Sequence, residues 1–441
     1  MAKLEYDKNG RLLFTKEMKK EYTLLIPQML PIHFGMMRMC LQMHGYNCVT
    51  LDNMDQRAIA ELGLKYVHND TCYPALLVIG QLIDAINSGK YDKDKVGLFI
   101  TQTGGGCRAS NYIHLLRKAL KKAGLEQVPV ISINLSGLEK NPGFSLTLPL
   151  ILQLIFSIVY GDIIMLLANQ CRPYEVHKGE TDALVQRWED RLVNEFQKTS
   201  KFTMKNLRRN FDLICADFAK IERIRTEKPR VGVVGEIYVK YSPLGNNNLE
   251  QFLLDEGAEP VVPGLVDFVI FKIYNRDVDV DIYGGSRLKQ AVVRMLQRYV
   301  ERCQQAMIDA VKKYPEFRAP SPFSHLKGMA AEYLGAGNKM GEGWLLTAEM
   351  LELIEDGTNN IVCTQPFGCL PNHIVGKGMI RRIKDDHPQS NIVAIDYDPG
   401  ATRINQENRI KLMLANAGRM DAAARAEKEK NTEKEREYVN A

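Results

Sequence analysis

Short apolar, β-branched runs alternate with stretches of helical period through most of the chain. Tyr22–Pro27, Cys48–Leu51, Val96–Gln102 and Val128–Asn134 read as strands, and Phe34–Met43, Asp55–Leu62, Ala75–Ile86 and Ala109–Lys122 between them read as helices. Apolar strands alternating with helices predict a parallel sheet covered on both faces. The alternation stops at residue 141. Phe144–Ala168, Thr181–Gln197 and Met204–Arg223 all carry helical periodicity, and Leu184, Trp188, Leu192 and Phe196 form one stripe. The alternation resumes with a strand over Arg230–Val239, a helix over Leu249–Glu256 and a short strand at Glu259–Val262. A long helix, Ser286–Tyr314, sets Val293, Leu296, Val300 and Cys303 on one face. A helix ending at Glu355, a strand from Ile361, a strand at Asn391–Asp396 and a helix over Ile404–Asn416 complete the pattern.

Two stretches share one layout. Val96 to Cys107 and Ile361 to His373 each run from a strand through Thr-Gln and a small-residue loop to Gly-Cys, and each leads to a helix and a further strand. Thr101-Gln102 matches Thr364-Gln365, and Cys107 matches Cys369. The expected fold class is therefore α/β, with two duplicated parallel-sheet units of Rossmann or flavodoxin-like type. The first covers 1–140, a helical insertion covers 141–228, the second unit covers 229–420, and a charged Ala-, Glu- and Lys-rich tail covers 421–441.

Composition narrows the partners. A net charge of +5 spread over 441 residues leaves no concentrated basic face, so nucleic acid is not an expected partner. The N-terminal Met-Ala-Lys-Leu-Glu-Tyr-Asp-Lys has no apolar core and is not expected to be a secretory signal. Nine cysteines in that context imply a reducing, cytoplasmic setting, where cysteines serve metals or redox chemistry rather than disulfides. Phe144–Ala168 approaches the length of a membrane span, but Pro149 and the Gly161-Asp162 pair interrupt it. A buried helix is expected there instead, packed at an interface between two copies of a homodimer, with no membrane partner.

The chemistry rests on three cysteines. Cys72, Cys107 and Cys369 each sit in a loop just ahead of a helix. Sites in α/β folds form outside the carboxyl ends of the strands. Two facing units would bring the three thiols into one cleft, where they could hold three irons of a [4Fe–4S] cluster and leave the fourth open. A helix N-terminus favours the thiolate form. Gly104, Gly105, Gly106 and Gly368 would let backbone amides approach the cluster sulfurs. Arg108, Glu342 and His373 are the candidates for supplying charge and protons. A carboxylate answering a helix dipole is the plainer reading of Glu342, and capping or packing that of His373. Cys40, Cys48, Cys215 and Cys303 lie in apolar patterns and read as core residues, whereas Cys171 and Cys363 are open. Cys363 is close enough in sequence to Cys369 to serve a larger cluster. The sequence has no Cys-x-x-Cys pair, Walker A loop, Gly-x-Gly-x-x-Gly or Gly-x-Ser-x-Gly, so the sites those motifs mark are not expected.

The motifs Asn69-Asp70-Thr71-Cys72-Tyr73-Pro74, Thr103-Gly104-Gly105-Gly106-Cys107-Arg108, Arg172-Pro173-Tyr174-Glu175, Gly341-Glu342-Gly343-Trp344 and Gln365-Pro366-Phe367-Gly368-Cys369-Leu370-Pro371-Asn372-His373 together resemble the 2-hydroxyacyl-CoA dehydratase and benzoyl-CoA reductase superfamily. More closely, they resemble the acyl-CoA dehydratase activase-related proteins. The resemblance extends through Asp396-Tyr397-Asp398-Pro399-Gly400 and Asn405–Leu412, covering roughly residues 22–415. It implies an oxygen-sensitive iron–sulfur protein of anaerobic metabolism that receives low-potential electrons from an ATP-hydrolysing activase. In the dehydratases that electron forms a ketyl radical of a 2-hydroxyacyl-CoA thioester. The related double-cubane proteins carry an [8Fe–9S] cluster and reduce small molecules. Activase-related chains often begin with activase domains, which are missing here, so the activase is expected as a separate chain. An acyl-CoA or small-molecule substrate is expected, although no residue pattern identifies a CoA pocket. A non-catalytic electron relay or scaffold is the other role that the resemblance allows.

Overall fold

The computed structural model describes residues 3–102, 106–134, 139–198, 202–224 and 226–417. Among them are two four-stranded sheets. The first holds β1 (Thr23–Ile26), β2 (Cys48–Thr50), β3 (Val96–Gln102) and β4 (Val130–Asn134) in the order β2-β1-β3-β4. The second holds β5 (Arg230–Gly235), β6 (Glu259–Val261), β7 (Asn360–Pro366) and β8 (Asn391–Tyr397) in the order β6-β5-β7-β8. Every neighbouring pair is parallel. β5 and β7 are buried along almost their whole length, which is why their sequences are continuous apolar runs rather than alternating ones.

Helices cover both sheets. On the first, Gln56–Tyr66 and Tyr73–Asn87 meet backbone to backbone: a Cβ on Gly80 would stand 2.0 Å from the Ile59 carbonyl oxygen, and one on Gly63 2.4 Å from that of Leu76. Only glycine permits that approach. The polar lead-in contains a helix, Lys16–Glu21, opened by reciprocal bonds between Thr15 and Met18. Two further helices, Leu265–Tyr283 and Phe323–Ala331, fall where the hydrophobic pattern gave no signal. The strand expected to run to Val239 stops at Gly235, whose φ of 134° turns the chain. Glu236 then caps the short helix Ile237–Tyr241 by accepting the Val239 N–H at 2.9 Å.

The insertion is built on Leu148–Cys171, which runs unbroken through Gly161 and Asp162. Both residues are there for a partner. A side chain at Gly161 would strike the His33 ring, its Cβ 2.4 Å from Cδ2. Asp162 Oδ1 lies 2.8 Å from His33 Nε2, and its two oxygens accept the Leu265 and Val266 N–H groups at 2.8 Å each. A helix of the first half, Pro31–Met43, and the N-terminus of the Leu265–Tyr283 helix are thus tied to one carboxylate. Among the described residues Leu148–Cys171 is the one helix long and apolar enough to cross a membrane, and 78% of its most apolar window is buried inside the protein. Its apolar surface is covered by this chain's own core, including Met36, Leu41, Phe211 and Ile214. Leu148 at its start is exposed, and Ile151, Leu154, Ile158 and Leu166 are partly so. The tail from 421 lies outside the described residues.

Candidate functional site

The carboxyl ends of both sheets open on one cavity of ≈ 370 Å³, and Cys72, Cys107 and Cys369 all line it. Each thiol arrives by its own device. Cys72 precedes the Tyr73–Asn87 helix, with Pro74 in the first turn, and its Sγ lies 3.2 Å from the Tyr112 hydroxyl. Cys107 follows β3 at the entrance to a 3₁₀ turn, Arg108–Asn111, and its carbonyl accepts from both N–H and Oγ–H of Ser110. Cys369 follows β7, and its carbonyl accepts the His373 N–H at 3.2 Å. A π-helical turn, Asn372–Gly376, comes next. Such turns re-aim a helix entry and recur at functional sites.

Gly368 is where the loops cross. Its φ is 71°, and a Cβ there would lie 2.8 Å from Arg108 Nη1 and 3.1 Å from the Cys72 Cα. The Tyr73 N–H donates to the Phe367 carbonyl at 3.0 Å, which ties the Cys72 and Cys369 loops together directly. Gly341 does the same service opposite: its Cβ position is 2.8 Å from Pro371 Cγ and 3.9 Å from Cys107 Sγ. Gly106 lies under Met340, whose Cε is 2.7 Å from the position of a Cβ. Gly104 and Gly105 are outside the described residues.

Glu342 lines the cavity and is buried, with Oε1 accepting the Ile237 N–H at 3.1 Å. Beside it stands Glu236, a residue the sequence reading passed over. Burial, and then the neighbouring Glu342, push the Glu236 carboxyl up to about 8. Burial raises Glu342 as well. Lys272 lines the same cavity, donates to the Gly341 carbonyl at 3.1 Å, and is lowered by its own burial. Arg108 donates to the Asp70 carbonyl. Cys72 and Cys369 do not follow the helix-terminus expectation: burial pushes Cys72 up to about 11 and Cys369 well above the usual thiol range. Desolvation outweighs the dipole because both side chains are enclosed.

His373 is exposed and does not line the cavity, because the π-helical turn carries it outward. Cys363 faces the other way, into the apolar core with Met350 and Ile383, with Sγ donating to Asn372 Oδ1 at 3.5 Å. The Arg172-Pro173-Tyr174-Glu175 motif is bracing: Glu175 accepts the Gly179 and Thr181 N–H groups, and the Tyr174 hydroxyl donates to Glu259 at 2.8 Å. Among the described residues no group of three or more His, Cys, Asp or Glu side chains is arranged to hold a metal ion.

A second cavity of ≈ 350 Å³ lies beyond the insertion helix, lined by Glu259, Asp267, Arg318 and Glu352 among others. Burial pushes Glu352 up to about 7. The folded protein therefore keeps a proton that the unfolded chain releases near pH 4.5. The Glu352 contribution to stability falls as pH rises from about 4.5 to about 7, and Glu352→Gln should flatten that part of the urea-midpoint profile. An unchanged slope would mean that other groups set it.

The sequence matches no family model and no curated protein.

Proposed function

We propose that this chain is an iron–sulfur protein of the 2-hydroxyacyl-CoA dehydratase type, with two duplicated Rossmann-like units facing across the cluster site. One observation carries the reading: three cysteines, from loops of both sheets, line a single cavity. Three thiols are the soft donor set that an iron–sulfur cluster takes. Cys72, Cys107 and Cys369 would be the ligands. A [4Fe–4S] cluster held there would accept one electron from a separate ATP-hydrolysing activase and pass it to substrate. Three thiolates leave one iron open, and among the described residues no fourth cysteine lines the cavity. That favours a catalytic dehydratase or reductase component over a fully capped relay, and a single cluster over the double-cubane [8Fe–9S] form. Glu236 and Glu342 would hold protons beside the substrate, and Lys272 and Arg108 would offset the charge of the thiolates.

The cytoplasm is the proposed setting, since the thiols need reducing conditions. A homodimer remains part of the proposal on a different surface. Leu288, Val292 and Met295 form an exposed apolar stripe on the Arg287–Val311 helix, at a spacing that a second chain could cover.

The test is iron and acid-labile sulfide per chain on anaerobically purified protein, with EPR of the reduced state. About four irons per chain is the expected result. About eight would replace it with the double-cubane reading. None after anaerobic reconstitution would defeat both.

A further inference from the structure

We infer that the cavity binds a small free carboxylate with an apolar body, its anionic end seated on Arg38. The inference names the substrate class of the site proposed above and rests on that reading. Most of the cavity away from the cysteines is apolar. The Pro31–Met43 helix turns Phe34, Met37, Arg38 and Leu41 toward it, and Leu154 and Ile158 of the insertion helix also line it. Those four positions follow the i, i+3, i+4, i+7 spacing of a single helix face. Arg38 is thus a lone cation within an apolar stripe.

The other cations of the cavity are engaged beside the cysteines, Lys272 with the Gly341 carbonyl and Arg108 with the Asp70 carbonyl. Arg38 differs. Among the described residues it pairs with no carboxylate, and its guanidinium donates to Gln42 Oε1, one turn further along, at 3.3 Å. A guanidinium has five N–H donors in a planar fork that matches a carboxylate, so most of its donating capacity is left for a ligand. Small-molecule sites are characteristically apolar, with a few polar groups that fix orientation. A volume of ≈ 370 Å³ is near the lower end of the roughly 300–1,000 Å³ such sites span. The cluster would take part of that volume, so the remainder suits a short-chain acid.

The test is calorimetric titration of anaerobically purified protein with hexanoate, hexanamide and hexanoyl-CoA. Hexanoate should bind at least about 10-fold more tightly than hexanamide, the scale of a charge-assisted hydrogen-bonded pair. Arg38→Gln should abolish that preference while iron content stays at the wild-type value. Ile158→Trp, which fills the apolar end, should weaken acid and amide alike. Equal affinity for acid and amide, an unchanged preference in Arg38→Gln, or binding confined to hexanoyl-CoA would overturn the inference. Full iron loading without hexanoate binding would defeat this inference alone. Hexanoate binding by a protein that never takes up iron would defeat only the cluster reading.

Discussion

Replacing Cys369 with serine is expected to strip most of the iron, from about four per chain to below one, while far-ultraviolet circular dichroism stays unchanged. The expectation rests on where the residue sits. Its loop is held by Gly368 in the left-handed region, by the Tyr73–Phe367 backbone bond and by the π-helical turn beyond, and none of these uses the sulfur. Serine keeps the shape of the loop and removes the soft donor that iron–sulfur clusters require. Cys72→Ser and Cys107→Ser should behave alike, because their thiols share the cavity. Cys363→Ser supplies the contrast: its thiol bonds to Asn372 within the core, so iron should be retained. Full iron in Cys369→Ser, or equal loss in Cys363→Ser, would remove the ligand assignment.

Asp162→Ala should be strongly destabilising, by about 3–5 kcal/mol, the cost of breaking a buried pair from one side. The substitution leaves His33 fully buried without its acceptor and strips two backbone amides, at Leu265 and Val266, of theirs. It also opens space beside Gly161, which exists to admit the imidazole. Asp162→Asn keeps one carbonyl acceptor and should recover part of the loss. A urea midpoint within experimental error of wild type for Asp162→Ala would mean that the pair contributes nothing net.

Much of the layout was legible because it is written locally. β3 begins and ends where the apolar run Val96–Gln102 does, and β7 and β8 fall within a residue of the expected bounds at nearly every end. The cysteine trio was legible because each thiol lies in a loop just ahead of a helical turn, Cys107 and Cys369 after apolar strands and Cys72 after a helix. What escaped is long-range or masked by burial. The Leu265–Tyr283 helix carries Asp267, Lys272 and Asn275 on buried positions, so the contrast between apolar and polar faces that betrays a helix is blurred. Glu236 was hidden because the β-branched run continues past Gly235; a glycine inside such a run, followed by a carboxylate, was the signal to stop the strand there. Gly161 and Asp162 read as interruptions of an apolar run, since their partner His33 is remote in sequence. His373 was a candidate proton source beside Cys369, but the π-helical turn after Cys369 carries it outward, and no residue pattern announces such a turn.

The order in which the cysteines occur along the chain bears on how the protein must mature. Cys72 and Cys107 lie in the first half of the chain, while Cys369 leaves the ribosome only after the insertion and most of the second sheet. A nascent chain therefore exposes two thiols without the third, and the Tyr73–Phe367 bond that closes their loops cannot form until synthesis is nearly finished. Closure of the three-cysteine cavity is therefore a late event, and chains cut short by premature termination would lack the Cys369 side of it.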